Sequence, residues 1–273
     1  MLGVIKLPQA ASNPFPWILT FVFAGLAWIV TYQQLFEMHF LPMYGTMGLS
    51  LGPFLLFWTI MMAAMMLPAL SPMVSIRYVR LQQQSLSLLS QCIRLGMFLL
   101  GYLLVWCCFG LPVFFLGILS NRLVLHAPLL SISLGIVIFV LAGIYQMTPL
   151  QRRCLSHCNP SQSDHTCAAQ QTLSQGHHTC AVQDVPARSL FSNLKAGGLH
   201  SILCLGCCGH LMIVLIAVGL MNLFWMVLIT LVIFIEKVWP HGYRLNSLIG
   251  MALIAYGMLS FIEPSLLSGL YVR

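Results

Sequence analysis

The sequence predicts an all-α fold, a polytopic membrane helix bundle of about seven transmembrane helices. Of its 273 residues, 59% are hydrophobic and only 6% are charged, against roughly 25% charged residues in a soluble domain. Apolar runs of about 20 residues, the length that crosses a bilayer, recur along the chain. So few charged side chains do not cover the surface of a water-soluble globular enzyme, and that class is excluded.

The apolar runs define the predicted spans in chain order. Four runs precede a polar stretch at 148–200, and two follow it. The runs are 15–36, 52–73, 93–119, 128–146, 201–235 and 248–262. We therefore divide one membrane domain into a four-helix part (1–146), a cytoplasmic Cys/His-rich loop (147–200) and a three-helix part (201–273).

The run 201–235 decides the topology, because it is too long for one straight span and gives two short ones. Gly219 and Asn222 lie near its middle and favour a tight turn. We therefore predict two short spans in this run and seven spans in total, with six as the alternative.

The basic residues predict the orientation. With seven spans and a cytoplasmic N-terminus, all but two of the 12 Lys and Arg residues lie on the inner side, as the positive-inside rule requires. The inner set is Lys6, Arg77, Arg80, Arg94, Arg152, Arg153, Arg188, Lys195, Lys237 and Arg244. The six-span alternative leaves three basic residues on the outer side, which agrees less well with the positive-inside rule. We predict a multi-pass protein of the bacterial inner membrane whose net charge of +7 faces lipid headgroups and not nucleic acid.

The densest group of potential metal ligands is His200, Cys204, Cys207 and Cys208. On a helix, positions 204, 207 and 208 are i, i+3 and i+4, so their thiols share one face, which His200 joins one turn earlier. Thiolate and imidazole are donors for Cu(I) or Zn(II). The alternative is that these small cysteines serve close helix packing.

A methionine-rich segment in the second span supplies softer donors. Met62 and Met66 are i, i+4 on a helix, as are Met61 and Met65, so two thioether ridges lie side by side. Thioethers shift metal preference toward Cu(I), although methionine is also a common filler in membrane helices. The predicted topology puts these residues and the cysteines in the cytoplasmic halves of their spans, where they could share one site.

The prolines of the second span and the charged pair of the sixth span lead to two further expectations. Pro68 and Pro72 are expected to kink or end the second helix. Glu236 and Lys237 stand at the inner end of the sixth predicted span, where we expect them to pair locally at the membrane interface.

The predicted loop holds a third group. Cys154 and Cys158 flank His157, and the segments 164–167 and 177–180 repeat a His-Thr-Cys motif at a fixed offset. Such Cys/His tracts are typical of metal binding, and a reducing compartment would keep the thiols free. The alternative for the repeat is a linker with incidental residues.

Three segments resemble a bacterial family of predicted metal-binding integral membrane proteins, some of which are called copper-chaperone-like. They are the Trp-x-x-Met-Met-Ala-Ala-Met-Met-Leu-Pro run at 58–68, the segment 145–158, and the Cys-Leu-Gly-Cys-Cys-Gly motif at 204–209 with its continuation to 237. The resemblance covers about 55–260 and implies a metal-binding membrane protein. The chain departs from the family at Gly209 and His210, where an aromatic residue commonly follows Cys-Cys.

These observations lead to one primary hypothesis. The chain is expected to bind a soft metal, Cu(I) with zinc as the other candidate, and to transfer or transport it without being an enzyme. The expected ligands are Cys204, Cys207, Cys208, His200, Cys154, Cys158, Met62, Met65 and Met66. The expected partners are membrane lipid, the metal ion and a donor or acceptor protein. The alternatives are a membrane thiol–disulfide oxidoreductase and a permease for a non-metal substrate.

Overall fold

The computed structural model of the chain describes residues 14–37, 48–84, 87–158, 189–219, 222–238, 242–263 and 267. Within these ranges the regular structure is entirely helical. The eight helices are α1 (Phe15–Glu37), α2 (Leu51–Gln82), α3 (Leu88–His126), α4 (Pro128–Met147), α5 (Pro149–Cys158), α6 (Leu190–Val218), α7 (Leu223–Val238) and α8 (Gly242–Ile262).

Six of the described helices are long and apolar enough to cross a membrane, namely α1, α2, α3, α4, α6 and α8. The predicted polytopic helix bundle is thereby confirmed. Helix α7 has 16 residues, or about 24 Å at 1.5 Å per residue, which is less than the ~30 Å of a bilayer's hydrocarbon core. The sixth predicted span is thus the one predicted span whose helix is too short to cross the hydrocarbon core.

The predicted break within 201–235 is present. Gly219 ends α6 with a φ of 96°, a left-handed conformation that glycine adopts without strain. Asn222 then accepts a hydrogen bond from the backbone of Trp225 at the start of α7. The first arm of this hairpin is longer than predicted, because α6 begins at Leu190 within the stretch expected to be a loop. Ser189 caps it by accepting a hydrogen bond from the backbone N–H of Ser192.

Helix α2 does not end at its prolines, because it continues to Gln82. Pro72 has no N–H for the carbonyl of Pro68, four residues earlier. The hydroxyl of Ser71 donates to that carbonyl at 2.7 Å. A side-chain donor thus satisfies the freed backbone group and allows the helix to pass its proline.

Helices α3 and α6 cross in backbone contact. A Cβ added to Gly197 would lie 2.0 Å from the carbonyl oxygen of Phe98, and one added to Gly101 would lie 2.1 Å from that of Leu194. Such approach requires glycine on both helices. The crossing brings Tyr102 of α3 beside the cysteine-bearing part of α6.

The remaining helices pack on this pair and on one another. Helix α1 packs on α2, α2 also packs on α3 and α7, and α8 packs on α4. Helices α2 and α6 are the most buried of the long helices and supply much of one continuous core, whereas α1, α3, α4 and α8 present many large apolar side chains outward, as expected of helices that face lipid.

Candidate metal centre

Cys204, Cys207 and Cys208 form a buried thiol cluster on α6. Their sulfur atoms all lie within 4.8 Å of one another, and the sulfurs of Cys207 and Cys208 are 3.4 Å apart. Each side chain is at most 1% exposed, and each is a free cysteine. Sulfurs around a tetrahedral zinc ion with bonds of ~2.3 Å stand about 3.8 Å apart, so the cluster is close to ligand spacing.

Helix α5 adds a fourth thiol to this cluster. The Sγ of Cys207 lies 3.6 Å from the Sγ of Cys158, which is itself buried. A hydrogen bond between Gln151 of α5 and Asn246 of α8 ties α5 to the membrane helices. Two sequence-predicted groups of cysteines, one from the predicted loop and one from a span, therefore meet.

Cys154 lies one turn earlier on α5 and is partly exposed. Its sulfur is 3.5 Å from the position that a Cβ would take at Gly206. The absence of a side chain at Gly206 thus leaves room for a thiol against α6. Burial, and secondarily the neighbouring Cys207, raise the pKa of the Cys154 thiol, so a metal binding there must displace a proton.

Cys204 is contacted by two buried polar groups that were not predicted as part of the site. The Nζ of Lys237, at the end of α7, donates to the Cys204 sulfur at 2.8 Å. The hydroxyl of Tyr102 lies 3.1 Å from the same sulfur. The expectation that Lys237 pairs locally at the interface is wrong, because α7 is short and its last turn ends inside the bundle. The sequence signal for this contact was a cation within an apolar run.

His200 lies on α6 one turn before Cys204. It is 2% exposed, and its ring centroid is 6.2 Å from that of Tyr102. Among the described residues its Nδ1 has no hydrogen-bond partner, which is uncommon for a buried imidazole. The set of described ligand atoms within 4.8 Å consists of the three cysteines, so His200 stands beside the cluster.

Comparison with known protein families identifies the family to which this chain belongs. The family model for PpoB2, described as a copper chaperone, matches residues 55–260. The chain belongs to the PpoB2 copper chaperone family. The match spans the methionines of α2, helix α5, the α6 cysteines and Lys237, and it confirms the resemblance seen in the sequence. Neither the curated proteins nor the solved structures searched contain a match to this chain.

The protein also holds a polar network beside the cluster. Gln146 of α4 donates to Glu236 of α7 and is hydrogen-bonded to His210 of α6. Tyr145 donates to the carbonyl of Gly206 at 2.8 Å. The network joins three helices around the cysteines. Sequence reasoning missed Gln146 because a single amide within an apolar run carries no pattern of its own.

The predicted methionine ligands lie inside the core. Met62, Met65 and Met66 are fully buried on α2 and belong to the same continuous core as the cysteines. Helix α7, which carries Lys237, packs against α2. The idea that thioethers and thiols share one site stays a prediction.

Two predicted features lie outside what the structure describes. The repeat at 164–167 and 177–180 belongs to the undescribed stretch 159–188, and the side chain of His157 is also undescribed.

Proposed function

We propose that this protein binds Cu(I) within the thiol cluster of Cys204, Cys207 and Cys208 and exchanges it with Cys158 and Cys154. The observation that carries the proposal is the set of buried, free thiols within 4.8 Å, with a fourth 3.6 Å from Cys207. Ligand exchange between neighbouring sulfurs moves a metal without a nucleotide or a chemical reaction on a substrate. The protein is accordingly a metal carrier and not an enzyme.

The donor set favours Cu(I) over zinc as the cargo. Soft thiolates bind both ions, and neighbouring thioethers shift the preference toward Cu(I). The buried methionines of α2 would act as weaker ligands that pass Cu(I) to or from the cysteines. Membership of a copper chaperone family supports the same choice.

The site's position suggests the direction of access. Cys154 is partly exposed, Cys158 is buried, and Cys207 is buried next to Cys158. The three thiols form an ordered path from the protein surface to the cluster. We place this entrance on the cytoplasmic side of a bacterial inner membrane, with the N-terminus also cytoplasmic, because the basic residues concentrate there. A soluble donor or acceptor protein would meet the chain at Cys154.

Metal analysis of the purified protein tests the proposal. The full chain is purified in mild detergent without oxygen, loaded with buffered Cu(I) and, in parallel, with Zn(II), and its bound metal is measured. We expect stoichiometric copper that is lost in Cys204→Ser and Cys207→Ser. The matched control is Cys92→Ser, because Cys92 is an exposed cysteine on α3. Retention of copper in both cluster variants, or stoichiometric zinc with no copper, would overturn the proposal.

One observation favours a second function, thiol–disulfide exchange. The sulfurs of Cys207 and Cys158 are 3.6 Å apart, and a disulfide of ~2.05 Å would need a movement of roughly 1.5 Å. Metal-free protein whose Cys158 and Cys207 show redox-dependent alkylation would support this function. If the protein binds no metal and its cysteines have no effect on transport, the permease alternative gains support.

A further inference from the structure

Lys237 is an internal cation at the proposed copper site. It lies in the last turn of α7 and is 4% exposed. Its ammonium donates to the Cys204 sulfur at 2.8 Å. A buried ammonium is costly unless an opposite charge lies beside it, and the thiols of the cluster are the acidic groups in direct reach.

Glu236, the acid next to Lys237 in the chain, is hydrogen-bonded to a different group. Glu236 is hydrogen-bonded by the neutral amide of Gln146 on α4. Burial beside a neutral partner favours the uncharged carboxylic acid. Lys237, by contrast, contacts an ionisable thiol. The net charge of the site is therefore set by the Lys237 ammonium and the cysteine thiolates, without a contribution from Glu236.

The position of Lys237 follows from the length of α7. A helix of 16 residues that begins at Leu223 brings Lys237, in its last turn, against Cys204. The C-terminal end of a helix carries partial negative charge, which favours a cation in its last turn. The fold thus delivers a fixed positive charge to a buried thiol.

Charge balance limits how many thiolates this site can give one metal ion. Two thiolates and one Cu(I) carry a net charge of −1, and the Lys237 ammonium brings the sum to zero. Three thiolates around Cu(I) would leave −1 with the ammonium present. A divalent ion would leave +1 on two thiolates and zero on three, so the balance sets how many thiolates Cu(I) takes and does not by itself choose the ion. Each cysteine that coordinates as a thiolate releases its S–H proton to solvent.

We propose that Lys237 is the built-in counter-ion of the site and limits a bound Cu(I) to two thiolates, one of them from Cys204. This inference rests on the proposed copper function and adds a residue that coordinates nothing. In the metal-free protein the ammonium pairs with Cys204. When Cu(I) binds, the ammonium remains beside the copper–sulfur unit and neutralises it.

Copper affinity in charge variants tests the inference. The full chain in detergent is titrated with Cu(I) against a competing bicinchoninate chelator. Lys237→Met should weaken Cu(I) binding about a hundredfold, because it removes the partner of a buried charge. Lys237→Arg keeps the charge and should stay within about tenfold of the wild type. Lys195→Met is the matched control, since Lys195 is exposed on α6, and its affinity should be unchanged.

Coordination provides a second readout that packing defects would not move. X-ray absorption of the copper-loaded wild type should show two sulfur ligands, which requires no variant. Three sulfur ligands in the wild type would contradict the inference. So would equal Cu(I) affinities of Lys237→Met and wild type, or an Arg variant as weak as the Met variant. In metal-free Lys237→Met the Cys204 thiol can keep its proton, which leaves no unpaired buried charge, so the variant should fold, as thermal unfolding will show.

The two proposals fail in different ways. If the wild type takes up no Cu(I), the proposed function is wrong. If the wild type binds Cu(I) stoichiometrically and Lys237→Met binds it equally well, only the counter-ion role is wrong.

Discussion

Cys158 and Cys207 are 49 positions apart in the chain, and their sulfur atoms lie 3.6 Å apart. One belongs to the short helix α5 and the other to the long helix α6. Their contact connects the partly exposed thiol of Cys154 with the fully buried cluster on α6.

This contact predicts a specific kinetic defect. Cys158→Ser should leave copper stoichiometry near that of the wild type, because the three α6 thiols remain. Transfer of Cu(I) from the loaded protein to a soluble chelator should slow by about tenfold, since the intermediate sulfur is lost. Stopped-flow chelator kinetics measure this. Cys92→Ser is the control, and equal transfer rates of all three proteins would argue against a path through Cys158.

The glycine crossing of α3 and α6 predicts a structural defect. Gly197→Ala would bring a methyl group 2.0 Å from the carbonyl oxygen of Phe98, so the helices must separate. Overpacking of this kind costs about 1–3 kcal/mol. We expect a lower melting temperature in detergent and weaker copper binding, because Tyr102 and Cys204 move apart.

The control for this variant is Gly96→Ala on α3, since a Cβ at Gly96 has nothing within 4 Å. This change should be neutral or slightly stabilising, because alanine has the better helix propensity. Equal melting temperatures of the two variants would show that the crossing is not tight.

The hydrogen bond from the Ser71 hydroxyl to the Pro68 carbonyl in α2 can be tested by substitution. Ser71→Ala removes the donor to the Pro68 carbonyl and should cost about 1 kcal/mol. In a Pro72→Ala background the restored N–H can satisfy the same carbonyl, and Ser71→Ala should then cost almost nothing. Unfolding free energies of the four proteins form a double-mutant cycle. A coupling energy near zero would mean that another group satisfies Pro68.

The network around Gln146 predicts a loss of stability. Gln146→Leu leaves Glu236 without its amide donor, and an unsatisfied buried polar group costs about 1–3 kcal/mol. Thermal unfolding in detergent measures the loss. Gln33→Leu on α1 is the control because Gln33 is exposed. If Glu236→Leu does not partly restore the stability of Gln146→Leu, the network is not the cause.

Much of the fold was predictable because it depends on local properties of the chain. Long apolar runs marked the spanning helices, and Gly219 marked the break between α6 and α7. The boundaries were less predictable. Helix α2 outlasts its prolines and α6 begins at Leu190, because contacts from Ser71 and Ser189 complete backbone hydrogen bonds that composition alone does not reveal.

The candidate site, like the fold, was predictable in its local part and not in its contacts between helices. The shared face of Cys204, Cys207 and Cys208 follows from spacing, since positions i, i+3 and i+4 of a helix are neighbours. The contacts of Cys204 with Tyr102 and Lys237 join three helices, and no spacing rule predicts which side chains meet across helices.

The sequence by itself determined that the chain is a membrane helix bundle with a thiol face on α6, because hydropathy and helical periodicity are properties of neighbouring residues. Only the tertiary structure decided that α5 adds Cys158 to that face and that a short α7 ends with Lys237 against Cys204. The glycines of α3 and α6 brought Tyr102 into reach. These contacts depend on where the helices cross and end in space. The same geometry places the Lys237 ammonium beside the thiols.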